Sequence, residues 1–381
     1  MKNAVAIIDF GSKEIVTLVG ELGANNTLNI RGKGRVLYAG FQNSEFLEPE
    51  NLRIAIKKSI MKAESQFQFK IDEIYVGIPG EFSVVVPKTV SLIFPKAKKI
   101  TQFDVDNIFK TGNTFEKETN YCLINKSVIY YELDDNQRVI DPIDMKSKSF
   151  TGNVSYILAD VEFIKKIQDV FSRLKISVKG FISSILAESL YLFEPSLRDR
   201  FVLMADVGYI TTSVALSQGN GLLFMSSFSL GGAYISSDLS QCLHISFSEA
   251  EKLKEKLVIA WQPTQEDNYA ISINENVYTY SAKATNAISM DRIEMICEYI
   301  QRCIESSEYE LPNYIPLYLT GGGISQMKGI RNLLSKKLKR QVLTMNIARE
   351  HKVKPYNASA EGLLSLVLND KELLEKTIIK I

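Results

Sequence analysis

Residues 203–216 read L-M-A-D-V-G-Y-I-T-T-S-V-A-L, and residues 6–19 read A-I-I-D-F-G-S-K-E-I-V-T-L-V. Each is an apolar strand, an Asp-x-Gly turn, a few small or polar residues and a second strand. That is the pattern of a β-hairpin whose tight turn carries a carboxylate and exposed backbone amides. A single such turn needs no explanation beyond glycine supplying a positive φ. Two in matching strand context, near the starts of two halves of the chain, point to two halves facing one phosphate-bearing ligand.

The rest of the composition narrows the field. The 381 residues are enough for two or more domains at roughly 150 residues each. Lys plus Arg number 45 and Asp plus Glu 44, a net charge of +1, so no global drive toward nucleic acid or an anionic membrane exists. Cys122, Cys242, Cys297 and Cys303 have no C-x-x-C spacing, and His244 and His351 are the only imidazoles, which reads as free thiols rather than a zinc site. The first residues lead straight into a short apolar strand, and no apolar run reaches about eighteen residues, so neither a secretory leader nor a membrane span is expected.

Periodicity places the remaining elements. A strand over 28–39, a helix over 50–69 with Leu52, Ile56, Ile60 and Ala63 on one face, and a strand over 73–78 closed by Pro79-Gly80 make an α/β half. Residues 82–159 differ in character, with short strands at 84–86 and 91–94, a helix capped by Thr101 and a strand pair around 134–137; they read as an α+β insertion. Helices are expected over 160–174 and 184–193, the latter carrying Glu188. In the second half the pattern gives helices over 233–242, 246–257, 290–306, 327–338 and 358–368. It gives strand material at 224–230, 269–280 and 315–319.

Asp9 and Asp206, each at a strand-turn, suit a divalent cation held through water, since magnesium keeps several waters and takes one or two carboxylates plus phosphates. Ser12, Lys13, Thr211 and Thr212 add hydroxyl and ammonium contacts. Gly321, Gly322 and Gly323 follow a strand and let a ligand approach the backbone. No dinucleotide fingerprint or P-loop is present, and serine-triad and metalloprotease motifs are equally missing.

In this order, D-F-G-S at Asp9, Glu188 on a helix, D-V-G-x-x-T-T at Asp206, E-x-x-K at Glu251–Lys254 and L-T-G-G-G at Gly321–Gly323 resemble the actin/Hsp70 nucleotide-binding superfamily. Within it the chain resembles FtsA, the bacterial actin-like cell-division family. Y-V-G-I-P-G at 75–80, I-D-P-I-D-M at 140–145, L-G-G-A-Y-I-S-S-D-L at 230–239 and S-E-A-E-K-L-K at 248–254 carry the narrower likeness. The resemblance implies an α/β, actin-like (RNase H-like) two-lobed fold with an inserted α+β subdomain. The implied division is 1–81 with 160–197 for the first lobe, 82–159 for the insertion, 198–243 with 315–381 for the second core and 244–314 for its smaller subdomain. It implies ATP and magnesium in the interlobe cleft. Asp9, Gly11, Ser12 and Lys13 form one phosphate loop and Asp206, Gly208, Thr211 and Thr212 the other; Glu251 and Lys254 hold the ribose, and Gly321, Gly322 and Gly323 back the adenosine. Glu188 falls where many actin-like proteins orient the attacking water, although a surface helix carboxylate explains it as plainly.

The implied partners are the tubulin homologue FtsZ, other division proteins and further copies of the chain, at the cytoplasmic face of the division site. Four departures qualify this. Tyr209-Ile210 replaces a usual Gly-Gly pair, and Ser213 a usual Asp, which crowds the γ-phosphate position and leaves at most a slow ATPase. The helix over 290–306 has Ile296 or Cys297 where the family often has an FtsZ-contacting Arg. The last residues, K-E-L-L-E-K-T-I-I-K-I, lack the aromatic and basic residues of the family's membrane-binding helix and read as a core-packing helix, which leaves membrane attachment open. A pilus-assembly adaptor of the PilM type is the alternative, and a small-molecule kinase of the superfamily a third.

Overall fold

Both Asp-x-Gly hairpins occupy the same place in two sheets of the same topology. The computed structural model describes residues 4–24, 27–38, 40–345 and 357–370. In the first sheet β1 (Val5–Phe10) turns into antiparallel β2 (Glu14–Leu22), which pairs with β3 (Leu28–Leu37). On its other side β1 runs parallel to β6 (Glu73–Ile78), and β6 to β11 (Ser177–Ser183), giving the order β11-β6-β1-β2-β3. The second sheet repeats this with β12 (Val202–Val207), β13 (Thr212–Gln218), β14 (Gly221–Phe228), β17 (Leu317–Thr320) and β18 (Val342–Thr344), in the order β14-β13-β12-β17-β18. The central strands β1 and β12 are buried almost throughout, as expected of strands covered on both faces.

Helices cover these sheets where their apolar spacing dictates. α1 (Pro49–Phe67), started by Pro49, turns Leu52, Ile56, Ile60 and Ala63 onto β2 and β3. α3 (Val161–Leu174), capped by Asp160, packs Phe163, Ile164, Ile167 and Phe171 into the same core. In the second lobe α6 (Gly232–Leu243), α7 (Phe247–Lys254), α8 (Ala282–Glu305) and α9 (Ile330–Leu338) enclose a core that includes Ile293, Ile296, Cys297 and Ile300. A small hairpin, β4 (Phe41–Gln42) with β5 (Glu45–Phe46), meets the second lobe where Gln42 donates to the Tyr234 hydroxyl at 2.8 Å.

The insertion is a sheet of order β7-β10-β8-β9, built from β7 (Ser83–Lys99), β8 (Tyr121–Leu133), β9 (Arg138–Val139) and β10 (Lys146–Asp160). α2 (Gln102–Gly112), held by a Thr101–Asp104 capping box, packs Val105 and Ile108 on Tyr131, Phe150 and Tyr156. The two short strands expected at 84–86 and 91–94 are one continuous strand. β7 is an edge strand that pairs only with β10, so Pro87 and Pro95 sit within it without breaking a two-sided ladder. The strand material expected over 269–280 is a hairpin, β15 (Asn268–Ile273) with β16 (Asn276–Ser281), whose turn residues Asn274 and Glu275 both have positive φ.

The ends of the two halves cross. α4 (Ser184–Leu192) follows the first sheet, and α5 (Pro195–Arg198) then leads into the second half. Yet α4 packs Ile185, Leu186 and Leu192 with Met204, Ala215 and Tyr318 of the second sheet. α10 (Ala358–Asn369) follows the second sheet, yet packs Leu363, Leu364 and Val367 with Ile7, Val16 and Leu18 of the first. The assignment of all of 315–381 to the second core is therefore corrected: α10 completes the first lobe, because its apolar face matches that sheet. α4 and α10 touch closely at Gly362, where a Cβ would lie 2.6 Å from the Ala187 carbonyl oxygen. The closing segment 371–381, expected as a core-packing helix, lies outside the described residues.

Candidate functional site

The two hairpin turns face each other across a cleft of about 720 Å³. Of the residues singled out from sequence, Asp9, Gly11, Ser12, Lys13, Glu188, Asp206, Gly208, Thr211, Glu251, Lys254, Gly321, Gly322 and Gly323 all line it. Thr212 does not. Its side chain is fully buried and its hydroxyl donates to the Leu230 carbonyl at 2.7 Å, so its proposed place in the second phosphate loop is withdrawn.

Three carboxyl groups converge on the cleft floor. Asp9, near the end of β1, accepts a 2.9 Å bond from Ser184 Oγ at the start of α4 and another from Ser359 at the start of α10. Burial raises its pKa, and these hydroxyls oppose the shift. Asp206 lacks such donors: burial, then the charge of Asp9, push it up to about 7. Glu188, one turn along α4, is 1% exposed, which overturns the surface-carboxylate reading. Its Oε1 accepts from Thr320 Oγ1 at 2.8 Å, while its Oε2 is buried without a hydrogen-bond partner. Burial, then the Asp206 and Asp9 charges, hold Glu188 well above the usual carboxylate range.

The loops are tied to each other and to the α6 terminus. In each hairpin the glycine amide closes the turn, Gly11 onto Glu14 and Gly208 onto Thr211, both at 2.9 Å. The Ile210 amide then donates to Ser12 Oγ at 2.9 Å, so the two turns touch directly. Three carbonyls of the second turn are also engaged: Val207 accepts from Gly323 at 2.8 Å, Gly208 from Gly232 at 3.0 Å and Tyr209 from Ala233 at 2.7 Å. This explains two of the three consecutive glycines. A Cβ on Gly323 would lie 2.2 Å from the Gly208 carbonyl oxygen, and Gly321, at φ +82°, would place one 2.4 Å from that of Val207. Gly322, by contrast, is exposed on the cleft wall.

At the mouth, α7 starts on a Ser246–Glu249 capping box and presents Glu251 and Lys254 to the cleft. Lys254 Nζ donates to Glu251 Oε1 at 2.7 Å and to the Gly232 carbonyl at 3.1 Å. Lys13 reaches across from the first lobe to Glu251 Oε2 at 2.9 Å. Ser236 also donates to Glu251. Burial works to raise the Glu251 pKa, but Lys254, Ser236 and Lys13 overrule it and hold the carboxyl below its ordinary range. The Tyr209 ring lies beneath both ammonium groups, 4.4 Å from Lys13 Nζ and 5.5 Å from Lys254 Nζ.

Ser184, Ser359 and Thr320 had no motif to announce them. The repeat itself holds the missing signal, because Ser184 and Ser359 each stand at the start of the helix that ends its half. Among the described residues no cluster of three or more side chains is spaced to ligate a metal directly. The residues fit a cation held through water, since the mutual repulsion of Asp9, Asp206 and Glu188 and the orphaned Glu188 Oε2 are what a nearby positive charge offsets. Ile296 and Cys297 are buried in the second-lobe core and offer no contact surface. No helix among the described residues is long and apolar enough to cross a membrane.

Comparison with known proteins bears on the same features. Residues 203–362 match the family model described as "Cell division protein FtsA". The FtsA of Neisseria meningitidis serogroup B is 22% identical over 330 residues, covering 86% of this chain and 80% of that one. Among solved structures, a PilM-PilN type IV pilus biogenesis complex superposes with a TM-score of 0.65 at 14% identity, covering 96% of this chain and 99% of that one. MreB5 of Spiroplasma citri bound to AMPPNP superposes with a TM-score of 0.57 at 10% identity, covering 98% and 99%. The structural likenesses establish the actin-like two-lobed fold. With the paired hairpins and the inserted subdomain, they set the chain beside the FtsA cell-division proteins, to whose family model its residues 203–362 are similar.

Proposed function

We propose that the chain is a cell-division scaffold that holds ATP or its hydrolysis product, with magnesium, between its two lobes, associates with copies of itself and links an FtsZ-type tubulin homologue to other division proteins. The observation that supports this most is the meeting of both Asp-x-Gly turns, the exposed Gly322 wall and the Glu251–Lys254 pair around one cleft. The actin-like MreB5, which shares the fold, is described bound to AMPPNP.

In this reading Asp9 and Asp206 orient the waters of the cation, which would neutralise phosphate charge. Free amides of the two turns and Lys13 meet phosphate oxygens, and Glu251 and Lys254 meet the ribose hydroxyls. Lys13 and Glu251 come from different lobes, so a nucleotide that engages them joins the lobes. The direct Ser12–Ile210 bond between the turns favours slow turnover, because a reacting phosphate and its attacking water need space between the turns.

Isothermal titration with magnesium and ATP or ADP, paired with sedimentation velocity, tests the reading. Saturable heat and a nucleotide-dependent larger species are expected. No heat with either nucleotide, and a monomer throughout, sinks it. The PilM type of adaptor is the second reading, favoured by that fold's TM-score of 0.65. Binding of a pilus-protein peptide without binding of an FtsZ-type tail would select it.

A further inference from the structure

The hydroxyl groups around the cleft floor are shared out unevenly. Ser184 Oγ donates to Asp9 Oδ1 at 2.9 Å, and Ser359 donates to the same carboxyl group. Glu188 has one such donor, Thr320, and Asp206 has none among the described residues. The repeat makes this distribution unexpected. α10 closes the second half as α4 closes the first, so Ser359 should serve Asp206 as Ser184 serves Asp9. Both hydroxyls go to Asp9 instead. Ser184 is not spent on capping its helix, because the preceding Ser183 takes the Leu186 amide. Its bond to Asp9 lies over Gly77, where a Cβ would be 2.7 Å from Ser184 Oγ and 3.0 Å from Asp9 Oδ1, so this glycine makes room for the pair.

We propose that Ser184 and Ser359 are positioning residues for the cation, and that they make Asp9 the fixed carboxylate against which it is placed. The inference rests on the nucleotide and magnesium reading above and deepens it. A carboxylate has about four acceptor positions. Ser184, Ser359 and the Phe10 backbone each bond to Asp9, which leaves room for a water of the cation. A carboxyl group tied to hydroxyls on two different helices does not swing about its last torsion, so the water it accepts has a set place. Asp206, without such ties, follows the cation. Partners of this kind, one shell out from a metal, govern its affinity without touching it.

The test is titration of the full chain with ADP and with ATP, each in magnesium and in EDTA, for the wild type, Ser184→Ala, Ser359→Ala and Ser184→Thr. The quantity read is the factor by which magnesium tightens nucleotide binding. Each alanine variant is expected to reduce that factor about tenfold while its affinity in EDTA stays within about twofold of the wild type. Ser184→Thr, which keeps the hydroxyl, should retain the factor. An alanine variant that keeps the full factor overturns the proposal. So does one that loses affinity equally in magnesium and in EDTA, which is the mark of a merely structural role. Wild-type binding that magnesium does not tighten also overturns it and leaves nucleotide binding intact, whereas no binding of either nucleotide removes the reading and the proposal together. Ser359, at the cleft wall and only partly buried, decides the matter even if Ser184→Ala fails to fold.

Discussion

In the first hairpin Asp9 receives the hydroxyls of Ser184 and Ser359 and is backed, on the parallel neighbour β6, by Gly77; in the second, Asp206 faces the charge of Asp9 and is backed, at the end of the parallel neighbour β17, by Gly321. The two glycines stand one residue out of step, since Asp206 pairs with Thr320 whereas Asp9 falls in register with Gly77, and they meet different neighbours. A Cβ on Gly77 would lie 2.3 Å from Leu363 Cδ1 and 2.7 Å from Ser184 Oγ, both ends of side chains that can move. One on Gly321 would lie 2.2 Å from Asp206 Oδ1 and 2.4 Å from a backbone oxygen, at φ +82°. The same turn is therefore supported by yielding side chains in one lobe and by fixed backbone in the other.

The largest effect that separates the two turns should come from these glycines. Gly321→Ala combines left-handed strain with a backbone clash and is expected to cost about 3 kcal/mol or more, against about 1 kcal/mol for Gly77→Ala. Urea denaturation of the two variants measures the difference. Equal costs would mean that both turns are equally able to yield.

A second, smaller difference lies in the carboxylates. Asp206 has a folded-state pKa raised from 3.8 to about 7, so its favourable contribution is fully present below pH 3.8 and is lost as pH rises through about 7. Asp206→Asn removes the charge that is costly at high pH. In magnesium-free buffer its gain in stability should therefore grow with pH, exceeding at pH 7.5 its value at pH 5 by on the order of 2 kcal/mol. Glu188 and Asp9 face the same space, and the loss of one charge also eases theirs. Thermal melts across this range test it. A gain that does not vary with pH would show that Asp206 does not carry the repulsion.

Much of this was legible in the sequence because it is local. The Asp-x-Gly turns and the Ser246 start of α7 are written in consecutive residues, and so was the Thr101 cap of α2. What was not legible depends on which face of an element meets another. The first short strand expected from sequence ends at 86, before Pro87, but the one-sided pairing of β7 shows that the proline interrupts nothing. α10 follows the second sheet along the chain, and only its fit to Ile7, Val16 and Leu18 puts it on the first lobe. Glu188 carried no sign of its burial, because the groups that act on it, the Thr320 hydroxyl and the Asp206 and Asp9 charges, come from distant parts of the chain.

Thr212 is the instructive miss, since the repeat that revealed the site also contained its correction. In the first hairpin Phe10 pairs with Ile15, and in the second Val207 pairs with Thr212, so Thr212 stands where Ile15 stands. Ile15 is fully buried, and its neighbour Glu14 lines the cleft; likewise Thr212 points inward and Thr211 lines the cleft. Alternation along a strand allows only one of two adjacent threonines to face the ligand. Thr212→Val should thus leave nucleotide affinity unchanged and cost about 1 kcal/mol, the effect of leaving the Leu230 carbonyl without its donor. Thr211→Val should do the reverse, weakening binding with little loss of stability. Paired titration and denaturation of the two variants read both quantities, and weaker binding in Thr212→Val at unchanged stability would return that hydroxyl to the cleft.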